Sequence, residues 1–205
     1  MKIIAENLGK RFGREWVFRK FSYEFKKGEH YAIVGANGSG KSTLLKVLST
    51  WLEPTEGGLK FLEVSQDKHL QDNTANLVAF AAPYSELPEL FDLDELYTFY
   101  AGFKPLACTK EQFLELLQMK YVKGKPIKYF SSGMKQKVKL ALAFSEQSPL
   151  LLLDEPSTNL DKTNFDWLLS LLNKIDKQKI LIVSSNIEAE YSTCSHILPI
   201  DSYKN

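Results

Sequence analysis

The chain has 205 residues, 44% of them hydrophobic and 12% aromatic, enough to fill the core of one large domain carrying an inserted subdomain. Twenty-six basic residues balance 25 acidic ones, and a net charge of +1 argues against a nucleic-acid partner. Cys108 and Cys194 lack metal-ligand spacing, the first residues lack the apolar segment of a secretory signal, and no apolar run approaches the roughly 18–20 residues that span a bilayer. A cytoplasmic protein with reduced thiols is expected, reaching any membrane through a partner.

In chain order, Phe21-Ser22-Tyr23-Glu24-Phe25 alternates apolar and polar residues, as a half-exposed antiparallel strand does. Lys26-Lys27-Gly28-Glu29 turns the chain, and His30-Tyr31-Ala32-Ile33-Val34 reads as a buried strand. Leu44, Leu45, Val47, Leu48 and Trp51 recur at helical spacing, and Pro54 with Gly57 and Gly58 is expected to end that element. Between Leu77 and Gln147 apolar residues recur at three and four, which predicts helices over 88–103 and 111–119, punctuated by Pro83, Pro88, Pro105 and Pro126. A helix over 134–144 closes this stretch. A second buried strand, Leu150-Leu151-Leu152-Leu153, a helix over 164–175, a third strand, Ile180 to Ser184, and a last strand near Ile197 complete the chain. Apolar strands alternating with helices predict an α/β fold with a mainly parallel sheet, covered on both faces.

Gly35-Ala36-Asn37-Gly38-Ser39-Gly40-Lys41-Ser42-Thr43 matches G-x-x-x-x-G-K-[ST] between a strand and a helix. The glycines let successive N–H groups curl into an anion nest, and the following helix adds its positive end. Lys41 brings a cation to the β- and γ-phosphates of ATP, and the Ser42 hydroxyl a hard oxygen for Mg²⁺. Asp154 and Glu155 end a buried strand on the side where open parallel sheets bind ligands. Beside a phosphate loop, Asp154 is placed to hold Mg²⁺ through water and Glu155 to deprotonate an attacking water. Without that loop, Asp-Glu-Pro is an ordinary loop entry.

Phe130-Ser131-Ser132-Gly133-Met134 places a natural N-cap and small residues at a helix start, a second possible anion site. By itself this is a capped helix. The order phosphate loop, helical insertion, serine–glycine helix, acidic strand resembles the ABC ATPases along essentially the whole chain. The 130–134 segment stands where that family has its leucine-serine-glycine-glycine-glutamine signature, keeping Ser131 and Gly133 and departing at Phe130, Ser132 and Met134. Met134-Lys135-Gln136-Lys137 looks like a variant common in exporter-type members, and Ser157-Thr158-Asn159-Leu160-Asp161 is similar to the D-loop.

The resemblance implies a P-loop core with an amino-terminal antiparallel β subdomain and an inserted helical subdomain, the core being residues 1–76 and 148–205 and the insertion 77–147. It also implies a head-to-tail dimer with a second ABC ATPase subunit, either another copy of this chain or a different one. ATP bound at Lys41 of one subunit is covered by Ser131, Ser132 and Gly133 of the other, Asp161 lies at the interface, and Phe12 stacks on adenine, with Trp16 as substitute. A separate integral membrane permease, reached from the inner face of the membrane, is the expected partner, and export the expected direction. Two other readings are a module that dimerises on ATP with little hydrolysis and an ABC ATPase outside transport.

Two positions depart from the family. Asn186 stands where a histidine usually contacts the γ-phosphate, and its amide can donate but carries no proton. The glutamine that opens the insertion is missing, its place falling near Pro83. Slow hydrolysis is expected. The interleaved Lys10, Arg11, Phe12, Arg14, Trp16, Phe18, Arg19, Lys20 and Phe21 are read as solvated charge over a packed sheet rather than a nucleic-acid surface.

Overall fold

Side chains in the first 26 residues alternate between core and solvent, and the chain folds there into a long hairpin. In the computed structural model, which describes residues 1–63, 68–69 and 74–204, β1 (Lys2–Phe12) pairs antiparallel with β2 (Glu15–Lys26). Phe18, Phe21 and Phe25 of β2 are buried while Ser22 and Glu24 are exposed, the alternation expected at 21–25. After β3 (His30–Val34) and α1 (Lys41–Leu48), β4 (Glu56–Glu63) returns to pair with β1, and β5 (Lys68–His69) follows on its edge. The antiparallel sheet has the order β2-β1-β4-β5. Gly57 and Gly58, expected to end an element, instead lie inside β4. Gly57 has φ 82°, and a Cβ there would sit 2.3 Å from the Asn7 carbonyl, so the pair lets two strands approach beside a bulge in β1.

The remaining elements are β6 (Val78–Ala81), α2 (Leu93–Ala101), α3 (Lys110–Leu117), α4 (Ser132–Ser145), β7 (Leu150–Asp154), α5 (Lys162–Leu172), β8 (Ile180–Ser184) and β9 (His196–Pro199). Asp92 and Thr109 start α2 and α3 as capping boxes with Glu95 and Gln112. β6 falls inside the 77–147 stretch expected to be helical. It pairs with β7 from Val78↔Leu150 to Ala81↔Leu153, and four residues are too few to display a period. The parallel sheet has the order β6-β7-β8-β3-β9.

This sheet is a wall between two cores. Leu150, Leu152, Ile180 and Ile182 face one side, packing with α1 and the phenylalanines of β2. Leu151, Leu153, Leu181 and Val183 face the other, packing with α2 to α5. Each such side chain contributes roughly 2 kcal/mol by burial. Strand periodicity thus fixes which neighbours lie beneath each strand end.

Candidate active site at the carboxyl edge of the parallel sheet

The five parallel strands all end at one edge, and their following loops form the site. Ser184 is in register with both Ile33 and Asp154, so the loops after β3, β7 and β8 leave the sheet at the same level. Between β3 and α1 the chain turns through residues 35–40. Gly40 closes this loop at φ 105°, where a Cβ would meet the Val17 side chain at 2.6 Å, so only glycine fits. Ala36, Asn37 and Gly38 are exposed at the mouth, Ser39 is buried, and Ser42 and Thr43 occupy the first turn of α1. Lys41 is only 4% exposed, and its Nζ donates to the carbonyls of Gly35 at 2.8 Å and Ala36 at 3.2 Å, which holds the ammonium against the loop.

Asp154 is 1% exposed. Its Oδ2 accepts from the Tyr84 hydroxyl at 2.8 Å, while its Oδ1 is buried without a hydrogen-bond partner. A buried carboxylate oxygen with an open lone pair is a hard oxygen donor that suits a divalent cation. Glu155 is exposed and non-glycine, yet has φ 41°. Its N–H donates to the Ser184 carbonyl at 2.8 Å, which anchors a conformation costing about 1–2 kcal/mol. Asn186, beyond β8, donates from Nδ2 to Asn37 Oδ1 at 2.8 Å and so ties the β8 loop to the phosphate loop.

Four residues without a sequence signal brace this arrangement. Burial, followed by the charges of Asp154 and Glu155, pushes the Tyr84 phenol above its usual range, so it acts as a donor. The Lys46 ammonium of α1 lies 4.0 Å from the Tyr84 ring centroid. Asp201, just after β9, is held below the usual carboxylate range by its bond to Lys204, then by the Ala36 backbone N–H and Lys41. Glu190 is buried, its carboxyl pushed up by burial, and its Oε1 accepts from the Ser157 N–H at 3.2 Å. Apart from the local Asp201–Lys204 pair, these contacts join residues distant in sequence, and only the fold reveals them.

The serine–glycine segment is held separately. Ser131 is the N-cap of α4 and accepts from the Met134 N–H at 3.2 Å. Ser131 and Ser132 are exposed. A Cβ on Gly133 would lie 2.5 Å from the Asn159 carbonyl, and Gln136 Nε2 donates to the Pro156 carbonyl at 3.0 Å, so the helix start rests on the segment after Glu155. Among the described residues no hydrogen bond or ion pair joins 131–133 to 35–43. Asp161 caps α5 through the Asn164 N–H at 2.8 Å and is exposed. Phe12, at the end of β1, is 56% exposed with Lys10 Nζ 5.4 Å from its ring, whereas Trp16 already carries the Arg19 guanidinium at 4.2 Å. His196 pairs with Glu29 in β9, at the opposite end of the strand from Pro199, where the chain leaves for the site.

The family model described as ABC transporter matches residues 18–158. The chain belongs to the ABC transporter family, as an ATP-binding domain with the P-loop ATPase fold. It is 32% identical over 195 residues to the uncharacterized ABC transporter ATP-binding protein YcbN of Bacillus subtilis, covering 92% of this chain and 62% of that protein. Against the bacitracin transport ATP-binding protein BcrA of Enterococcus faecalis the identity is 27%, over 97% of this chain and 65% of the relative. The chain therefore spans under two thirds of the length of either. Relatives named for import match as well. A dimeric structure of an ATP-binding cassette in a post-hydrolysis state, bound to ADP and Pi, superposes with a TM-score of 0.80 at 20% identity, covering 97% of this chain and 95% of that one.

Proposed function

We propose that this chain binds MgATP at the carboxyl edge of its parallel sheet and hydrolyses it in a head-to-tail dimer, driving a separate membrane permease. The observation that carries the reading is the convergence there of the 35–43 loop, the half-satisfied Asp154 and the left-handed Glu155. In this reading the backbone N–H groups of 35–40 and the amino end of α1 surround the phosphates. Lys41 transfers its hydrogen bonds from the Gly35 and Ala36 carbonyls to phosphate oxygens. Ser42, and Asp154 Oδ1 through water, would hold Mg²⁺, which would supply positive charge beside the phosphates.

Glu155, exposed directly after the strand end, accepts the proton of the attacking water. Asn186 donates its amide to a phosphate oxygen but supplies no charge, which sets a slow rate. Phe12, the less encumbered of the two aromatics, stacks on adenine. Ser131, Ser132 and Gly133 of a second copy close the site with a capped helix end, which excludes water and strengthens every remaining electrostatic contact. Asp161 lies at that interface. The 77–147 segment, minus the strand β6, forms the helical subdomain.

No helix among the described residues is long and apolar enough to cross a membrane. In this reading the chain sits on the inner face of the membrane, docked to an integral permease. A groove of about 430 Å³ lined by Trp51, Phe80, Tyr84, Tyr100 and the Lys104–Glu146 ion pair is the surface we assign to it. Export rests on the 134–137 resemblance. Phosphate release by the purified protein with Mg²⁺, compared with Glu155→Gln, tests the reading. Turnover at least about a hundredfold above the variant is expected, and equal rates would overturn it.

A further inference from the structure

We infer that Tyr84 is a positioning residue that sets the orientation of Asp154 toward the divalent cation, an inference that rests on the nucleotide site proposed above. Tyr84 lies in the loop after β6, and β6 is hydrogen-bonded to β7, whose last residue is Asp154. The fold therefore brings the loop to the carboxylate although the two are 70 positions apart in sequence. The carboxylate's two oxygens are unequal. Oδ2 is engaged by the Tyr84 hydroxyl at 2.8 Å, and Oδ1 is buried with its lone pairs free. A carboxylate held by one oxygen presents the other in a fixed direction, which is how outer-shell partners orient a ligand.

The ring is fixed too. Lys46, one helical turn beyond Ser42 on α1, places its ammonium 4.0 Å from the ring centroid, and Phe80 lies 6.4 Å away. The loop backbone is pinned from the other core, where Lys139 of α4 donates to the Pro83 carbonyl at 2.6 Å. Tyr84 thereby spans the helix bearing Ser42 and the strand bearing Asp154. It stands one position past the place where the sequence lacks the expected glutamine. A phenol donates a single hydrogen bond and reaches further than a carboxamide, so here it grips the aspartate.

Tyr84→Phe removes only the hydroxyl and leaves the ring beneath Lys46. Mn²⁺ titration by electron paramagnetic resonance, with a saturating non-hydrolysable ATP analogue, reads the metal site directly. Mn²⁺ affinity should fall about tenfold in Tyr84→Phe, while analogue affinity in EDTA stays within about twofold of wild type. In an Asp154→Asn background the hydroxyl should make no further difference, because the two act as one unit. Unchanged Mn²⁺ affinity in Tyr84→Phe, an equal loss in metal-free analogue binding, or a persisting effect in Asp154→Asn would each overturn the assignment. A wild-type protein that binds neither analogue nor Mn²⁺ would instead sink the nucleotide site itself, and Tyr84 with it.

Discussion

The two backbone segments assigned here to phosphate binding are built in opposite ways. The 35–43 loop hangs from an interior strand of the parallel sheet, with β8 on one side and the edge strand β9 on the other, and its lysine is buried. The 131–133 segment sits at an exposed helix tip, and its position comes from one close backbone approach, Gly133 beneath Asn159, and one side-chain bond, Gln136 to Pro156. The first is set by topology and by close packing around Gly40. The second is set by the residues right after Glu155, so any displacement of that catalytic candidate's loop carries the serine tip along. A site formed from both would report its own state across the interface without a separate relay.

Mixing subunits breaks the comparison most severely. Lys41→Ala and Ser131→Ala each damage a different half, so each homodimer should be nearly inactive. An equimolar mixture should recover about a quarter of wild-type turnover, because half of the dimers carry one intact composite site. Phosphate release measured after exchange checks this, and a mixture no better than its components would rule out sharing between copies. Gly133→Ala tests the close approach. The added methyl has 2.5 Å of room before Asn159, and overpacking of this kind costs about 1–3 kcal/mol. The melting temperature should fall by roughly 5 °C, measured by calorimetry, whereas a methyl tolerated without loss would mean the contact is slack.

The smallest expected effect concerns Glu190, which links Ser157 to the end of β8. Burial, with a lesser push from Glu155, raises its folded-state pKa above the ordinary 4.5, while hydrogen bonds from Ser157 and Ser185 pull the other way. Below that value both folded and unfolded chains hold the proton. As pH rises above it, the unfolded chain releases its proton first, so the folded state loses stability until its own carboxyl ionises. Glu190→Gln should therefore flatten the fall in stability above pH 4.5, followed by urea unfolding at several pH values. An unchanged slope would show that the carboxyl pays no burial penalty.

Sequence reading recovered the parts that are local. The 35–43 loop, the Asp154–Glu155 strand end and the strands at 30–34, 150–153 and 180–184 are short, contiguous and periodic. Helix positions followed from spacing, with α4 starting at Ser132 rather than 134 and α5 ending at Leu172 rather than 175, because caps and not periodicity fix the ends. β6 escaped because Val78-Ala79-Phe80-Ala81 is too short to carry a pattern, and losing it concealed Tyr84, since only the pairing of β6 with β7 brings that hydroxyl to Asp154. Gly57 and Gly58 misled for the opposite reason. Glycine signals a turn unless two strands press together, and tertiary closeness leaves no local trace.

The wall between the two cores has a mechanical consequence. Leu151 and Leu153 are packed in the helical lobe, and they stand four and two positions ahead of Glu155, which directly follows their strand. A pull on α2 to α4 would therefore reach Glu155, the proposed base, through two leucine side chains and a few peptide bonds.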